Sequence, residues 1–126
     1  MNVSFNKRDP IYLQVMLHLK RLIVSGELTP GEEMPSRRQL ASQLKINPNT
    51  VQRAYSEMEE QRLIYTDPNR PSRVTEDPAV LTQLKKEWLS RAVDTFVSAI
   101  DPIDIPLDDL VQLIEEKMYT RKKDKQ

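Results

Sequence analysis

The tightest constraint on this chain lies between Ser36 and Tyr55. Ser36 opens a helix with Gln39 three residues on, a capping box in which each side chain serves the other's backbone. Leu40, Ala41 and Leu44 give that helix an inner face. Only Lys45 and Ile46 then separate Leu44 from Asn47-Pro48, an N-cap residue followed by proline at the first helical position. Two helices so close in sequence must turn sharply and share a core. The second runs to about Gln61 and places Val51, Ala54, Tyr55 and Met58 on one apolar face. Asn49, Gln52, Arg53 and Ser56 repeat the same spacing on the opposite side, and Glu57, Glu59 and Glu60 are confined to the distal end.

The elements around this pair follow from the same local chemistry. Asp9 as N-cap and Pro10 at the first helical position predict a helix over Ile11–Ser25, with Tyr12, Val15, Met16, Leu19, Leu22 and Ile23 as its stripe. Gly26 fits the left-handed position that ends it, and Pro30-Gly31 predicts a type II turn. After the third helix, 63–66 and 72–75 read as two short strands flanking the turn-forming run 67–71. Asp77-Pro78 caps a fourth helix to about Ile100; two prolines in 101–106 break it, and a fifth runs from about Leu107 to Tyr119. The basic tail, 120–126, is expected to fray. The fold class is therefore mainly α: three helices and a two-stranded hairpin in residues 1–75, then a short two-helix region in residues 76–126.

Composition excludes several function classes. The 126 residues hold no cysteine and one histidine, which removes disulfides, thiolate zinc sites, cysteine nucleophiles and multi-histidine metal centres. There is no phosphate loop, no catalytic triad set and no metal cluster, so an enzyme fits worst, and no cofactor or metal is expected. No apolar run exceeds three residues, so neither a membrane span nor a signal-peptide core is expected and a cytoplasmic location follows. Charges balance at 19 basic and 19 acidic, but their placement is uneven. From Met34 to Ser56 there are four cations, Arg37, Arg38, Lys45 and Arg53, and no carboxylate. Such a gap suits a surface that meets a polyanion.

A short-turn helix pair bearing amides and guanidinium groups matches a helix-turn-helix, and the basic hairpin after it matches a wing. In that arrangement the second helix of the pair offers its first turns to the major groove, where Asn or Gln pairs with adenine and Arg with guanine. Ser36 and Thr50 suit phosphate oxygens at helix starts. Arg70 and Arg73 on the hairpin suit the minor groove or the flanking backbone. A protein-docking winged helix is the alternative, and it gives no reason for excluding carboxylates from 34–56.

The run GEEMPSRRQLASQLKINPNTVQRAYSEMEEQRLIY resembles the winged-helix domain of the GntR family of bacterial transcription regulators. Its motif G-x-x-[LM]-P-S-x-R-x-L-A is matched by Gly31, Met34, Pro35, Ser36, Arg38, Leu40 and Ala41. INPNTVQRAY and the short C-terminal extension look like the YtrA-like subfamily. The resemblance implies operator contacts by Arg38 and by Asn47, Asn49, Thr50 and Gln52, with Arg53 added by its place on the same face. Positions where the family often carries glycine are occupied here by Lys45, Arg62 and Asn69, and Pro71 and Arg73 stand in the wing. Asn69 tolerates a left-handed backbone, so a turn stays feasible, while Pro71 stiffens the tip and withholds an N–H.

Residues 76–126 are too few to enclose an effector pocket, so any small-molecule effector is left unassigned. What they offer is apolar surface. Leu81, Leu84, Trp88, Ala92, Phe96 and Ile100 on the fourth helix, with Leu110 and Ile114 on the fifth, predict packing between these helices and against a second subunit. A homodimer is what a two-fold operator on double-stranded DNA requires. The expected function is a sequence-specific DNA-binding regulator, a repressor, acting as a homodimer on a palindromic operator.

Overall fold

The structure, a computed structural model, describes residues 3–125. Its helices are α1 (Ile11–Ser25), α2 (Arg37–Leu44), α3 (Pro48–Glu60), α4 (Pro78–Ile100) and α5 (Leu107–Asp124), and its hairpin is β1 (Ile64–Tyr65) with β2 (Arg73–Val74). Compact packing divides the chain into residues up to Ser90 and residues from Arg91 onward.

The first unit is built around α3. Val51, Ala54, Tyr55 and Met58 are each 0% exposed, as their spacing requires. α1 and α2 pack on this face, contributing Val15, Met16, Leu19, Leu22 and Ile23 from one and Leu40, Ala41 and Leu44 from the other. β1 and β2 pair antiparallel, Ile64 opposite Val74 and Tyr65 opposite Arg73. Ile64 and Val74 close the core from the hairpin side. The strands are shorter than the four-residue runs expected; beyond them Thr66 and Ser72 meet through their hydroxyls, and the Ser72 carbonyl accepts from the Met34 N–H of the connector.

The connector between α1 and α2 also pairs with β2. An isolated antiparallel bridge joins Glu33 to Arg73; the Met34 N–H donates to the Ser72 carbonyl at 2.7 Å and the Val74 N–H to the Glu32 carbonyl at 2.9 Å. The Pro30-Gly31 turn that aims this connector forms as expected, closed by the Glu32 N–H on the Thr29 carbonyl at 3.0 Å. Gly31 has φ 81°, and a Cβ there would meet the Glu76 carboxylate at 2.7 Å. The dihedral calls for glycine, since the Glu76 carboxylate is the free end of an exposed side chain and could move aside.

The caps expected at the helix starts form with one exception, and α5, for which none was expected, begins after Pro106 without a side-chain cap. Ser36 accepts from the Gln39 N–H at 3.0 Å and the Gln39 side chain accepts from the Ser36 N–H at 3.1 Å. Asn47 Oδ1 accepts from the Asn49 N–H at 2.8 Å. Asp77 likewise accepts from the Ala79 N–H at 2.9 Å. The exception is Asp9, which does not cap α1: Pro10 holds the N-cap position and no side chain caps the helix. Asp9 is drawn into a knot centred on Asn6, whose side chain donates to it at 3.2 Å, while Gln14 reaches back to the Asp9 carbonyl at 2.9 Å.

α1, α2 and α3 are followed by left-handed residues: Gly26, Lys45 (φ 57°) and Arg62 (φ 64°). At Arg62 the closing bonds run from its N–H to Glu59 and from the Leu63 N–H to Met58; at Lys45, from its N–H to Ser42 and from the Ile46 N–H to Ala41. Asn69, at the hairpin tip, is the third non-glycine residue with positive φ (62°) among the described residues.

The C-terminal expectations need more correction. Leu84, assigned to the subunit-facing stripe, is only 5% exposed and belongs to the first unit's own core, with Val80 and Leu81 packed beside it. Compact packing accordingly groups α4 as far as Ser90 with the first unit. No described residue of α5 is buried. Nor does the tail fray after Tyr119: α5 continues to Asp124, because no proline or glycine interrupts it and Arg121, Lys122 and Lys123 sit favourably in its last turn. Gln126 of that tail lies outside the described residues.

Candidate nucleic-acid interface

α3 reaches solvent along the side opposite its core face. Asn49, Gln52, Arg53 and Ser56 are exposed there and Thr50 is half-buried. Gln52 donates to the Ser56 hydroxyl one turn on at 3.1 Å, and the Asn49 side chain has no protein partner. Asn47 spends its side-chain oxygen on the helix cap, which leaves its amide hydrogens outward. Ser36 does the same at the start of α2, leaving its hydroxyl proton to donate. Arg38, in the first turn of α2, is exposed and has no partner among the described residues.

The cations of the carboxylate-free stretch divide into engaged and unengaged. Arg53 lies 3.8 Å from the centroid of the Tyr12 ring on α1, a cation–π contact that holds it at the edge of the α3 face. Arg37 turns inward to Glu59 at 3.0 Å and lies 4.7 Å from the Tyr55 ring centroid. Arg38 and Lys45 remain exposed, with no ion pair.

Hairpin arginines also separate. Arg70 stands exposed on the tip beside Asn69. Arg73 is committed elsewhere: it donates to the Gly31 carbonyl at 2.8 Å and pairs with Glu33 at 2.9 Å, pinning β2 to the connector. Sequence spacing placed Arg73 on the wing but gave no sign of a carboxylate arriving from the α1–α2 connector.

Tyr55 is a support residue that the reading of the face as apolar missed. Its ring is buried, and its hydroxyl donates to the Pro35 carbonyl at 2.7 Å, directly before the α2 cap. Burial pushes the phenol up to about 12, against a smaller opposing effect of Arg37, so the hydroxyl stays a donor at any physiological pH. The middle of α3 thereby braces the start of α2.

Beside the end of α3 lies an open hollow of about 520 Å³, with Gln61, Arg62, Asp77, Gln83 and Glu87 among its lining residues. Among the described residues no helix is long and apolar enough to cross a membrane.

Three packed helices with a tight α2–α3 turn, an outward amide face on α3 and a basic-tipped hairpin define a winged helix-turn-helix of the DNA-binding class. The family profile "Bacterial regulatory proteins, gntR family" matches residues 11–74. The HTH-type transcriptional regulator YhcF of Bacillus subtilis is 31% identical over 115 residues, covering 91% of this chain and 95% of the relative. The HTH-type transcriptional repressor YtrA of the same organism is 31% identical over 98 residues, 73% of this chain and 75% of the relative. A solved GntR family transcriptional regulator from Listeria monocytogenes superposes with TM-score 0.79 at 31% identity, covering 89% of this chain and 98% of that one. The chain belongs to the GntR family and is a DNA-binding transcription regulator.

Proposed function

We propose that the protein is a cytoplasmic repressor, not an enzyme, that binds a palindromic operator as a homodimer and acts by occupancy. Residues 1–75 serve as its DNA-binding domain and 76–126 as its dimerisation region. The observation that carries the DNA contact is the exposed α3 face, where Asn49 and Gln52 stand in a stretch, 34–56, that holds no carboxylate. Asn49, Gln52 and Thr50 read base edges and adjacent phosphates in the major groove. Ser36, Arg38 and the Asn47 amide hold the backbone, and Arg70 reaches it from the tip. Arg53 contributes from its perch on Tyr12, and Arg73 acts indirectly, by holding β2.

The dimer reading rests on uncovered apolar side chains. Val93, Phe96 and Val97 of α4 and Leu107, Val111, Ile114 and Met118 of α5 are between 39% and 71% exposed. A second copy that buries them also supplies the second reading helix, and an isologous pairing makes the operator two-fold. Trp88, half-buried at the margin, and Ala92, Ile100 and Leu110 complete that surface.

Selection of duplexes from a random pool by the purified full chain, at two salt concentrations, tests this directly. The expected result is an inverted repeat whose affinity falls steeply with salt. A protein that recovers no duplex, or recovers them without sequence preference, would support the docking-module alternative.

A further inference from the structure

Arg37 and Arg38 are neighbours with opposite orientations. Arg38 is exposed and has no partner among the described residues, whereas the Arg37 guanidinium is half-buried and engages two acceptors. Its Nη2 donates to Glu59 Oε1 at 3.0 Å and its Nη1 to the Ser72 hydroxyl at 3.3 Å. Glu59 Oε1 also accepts from the Thr66 hydroxyl at 2.7 Å, and the Thr66 and Ser72 hydroxyls bond to each other. The Tyr55 ring backs the whole group.

The placement of these residues gives the network its meaning. Arg37 is the first residue of α2, Glu59 lies in the last turn of α3, Thr66 directly follows β1 and Ser72 directly precedes β2. One guanidinium thus joins both helices of the reading pair to both roots of the tip loop 67–71. The hairpin's strands have two residues each, too few to hold that loop rigidly on their own. A planar fork with several fixed donors suits this junction; a lysine would satisfy one acceptor at a time.

We propose that Arg37 is a positioning residue for DNA recognition: it latches the tip loop and the end of α3 onto the first turn of α2, so that Arg38, Arg70 and the α3 face meet one duplex as a rigid set. This rests on the interface assigned above. Arg37 itself touches no phosphate.

The test compares Arg37→Gln, Glu59→Gln and their double variant with Arg38→Gln, using the duplex that the wild-type chain recovers from a random pool. Arg37→Gln is expected to weaken binding roughly tenfold, an effect the size of one charge-assisted hydrogen bond, without changing the slope of log K against log salt. Arg38→Gln should instead make that slope shallower by about one. Glu59→Gln removes a negative charge, which by simple electrostatics tightens binding, yet it should weaken it; the double variant should be little worse than either single change. Without DNA, hydrogen exchange across 66–72 should accelerate in both single variants while the thermal transition stays cooperative. A shallower salt slope for Arg37→Gln, tighter binding by Glu59→Gln, or unchanged exchange in 66–72 would each overturn the latch. Failure of the wild-type chain to recover any duplex removes the interface assignment instead, and the exchange measurement still decides whether the latch exists.

Discussion

Residues up to Ser90 and residues from Arg91 onward are both largely helical, yet only one of these regions has an interior. Every buried hydrophobic side chain among the described residues lies at or before Leu84, and eight of the largest are essentially inaccessible. After Leu84 no described residue is buried, although Phe96, Val111, Ile114 and Met118 recur at helical spacing. Equal helical content thus hides unequal self-sufficiency. α1–α3 bury most of their apolar side chains within one chain, with Leu13 and Leu17 of α1 left exposed, while the last turns of α4 and all of α5 present faces that a single chain leaves open.

The sharpest way to break this contrast is to charge the open face. Ile114→Glu is expected to weaken self-association by roughly 3–6 kcal/mol, since an isologous interface repeats the change, and to leave the first unit's melting intact. Sedimentation at micromolar concentration would read it; an unchanged mass would show that the face has no second copy on it. Leu19→Ala probes the closed region and should cost about 2–5 kcal/mol in unfolding free energy without altering the oligomer at low temperature.

Smaller effects refine the picture of the reading head. Arg38→Ala should reduce operator affinity by about 1–3 kcal/mol with an unchanged circular dichroism spectrum. Arg62→Gly relieves a left-handed side-chain clash at the end of α3 and should raise stability by about 0.5–1 kcal/mol in denaturant titrations. The least effect is that of His18 on α1. Burial, then Arg21 nearby, lowers its pKa, and its Nε2 is buried without a partner. The folded state therefore favours the neutral ring, so stability is full above pH 6.5 and declines as pH falls through the folded value. His18→Gln should flatten that decline, seen by comparing thermal midpoints across this range.

How much was legible in the sequence depended on how far apart the partners lie. Caps at Ser36 and Asn47, the stop at Gly26 and the Pro30-Gly31 turn rest on neighbours within a few residues, and each appears as expected. The buried face of α3 was equally plain, because its period is the helix's own. What escaped were the contacts that cross the chain. Arg73 meets Glu33 and the Gly31 carbonyl, Arg37 meets Glu59, and Arg53 meets Tyr12, all through tertiary folding that a local pattern does not encode. Asp9 failed as a cap for a local reason, since Asn6 competed for it. Lys45 and Arg62 were noted as departures from glycine, and the structure places both at positive φ, so these helix ends keep the geometry despite the side chain.

The two caps that open α2 and α3 have a consequence for how this regulator's target preference can change over generations. Ser36 and Asn47 hold backbone N–H groups and also belong to the proposed DNA contacts, so substituting either is expected to disturb architecture along with affinity. The Asn49 side chain caps nothing among the described residues, and Gln52 engages only the exposed Ser56 hydroxyl one turn on. On the proposed interface, divergence toward new operators is therefore expected at those two positions, where recognition can be rewritten while the scaffold stays as it is.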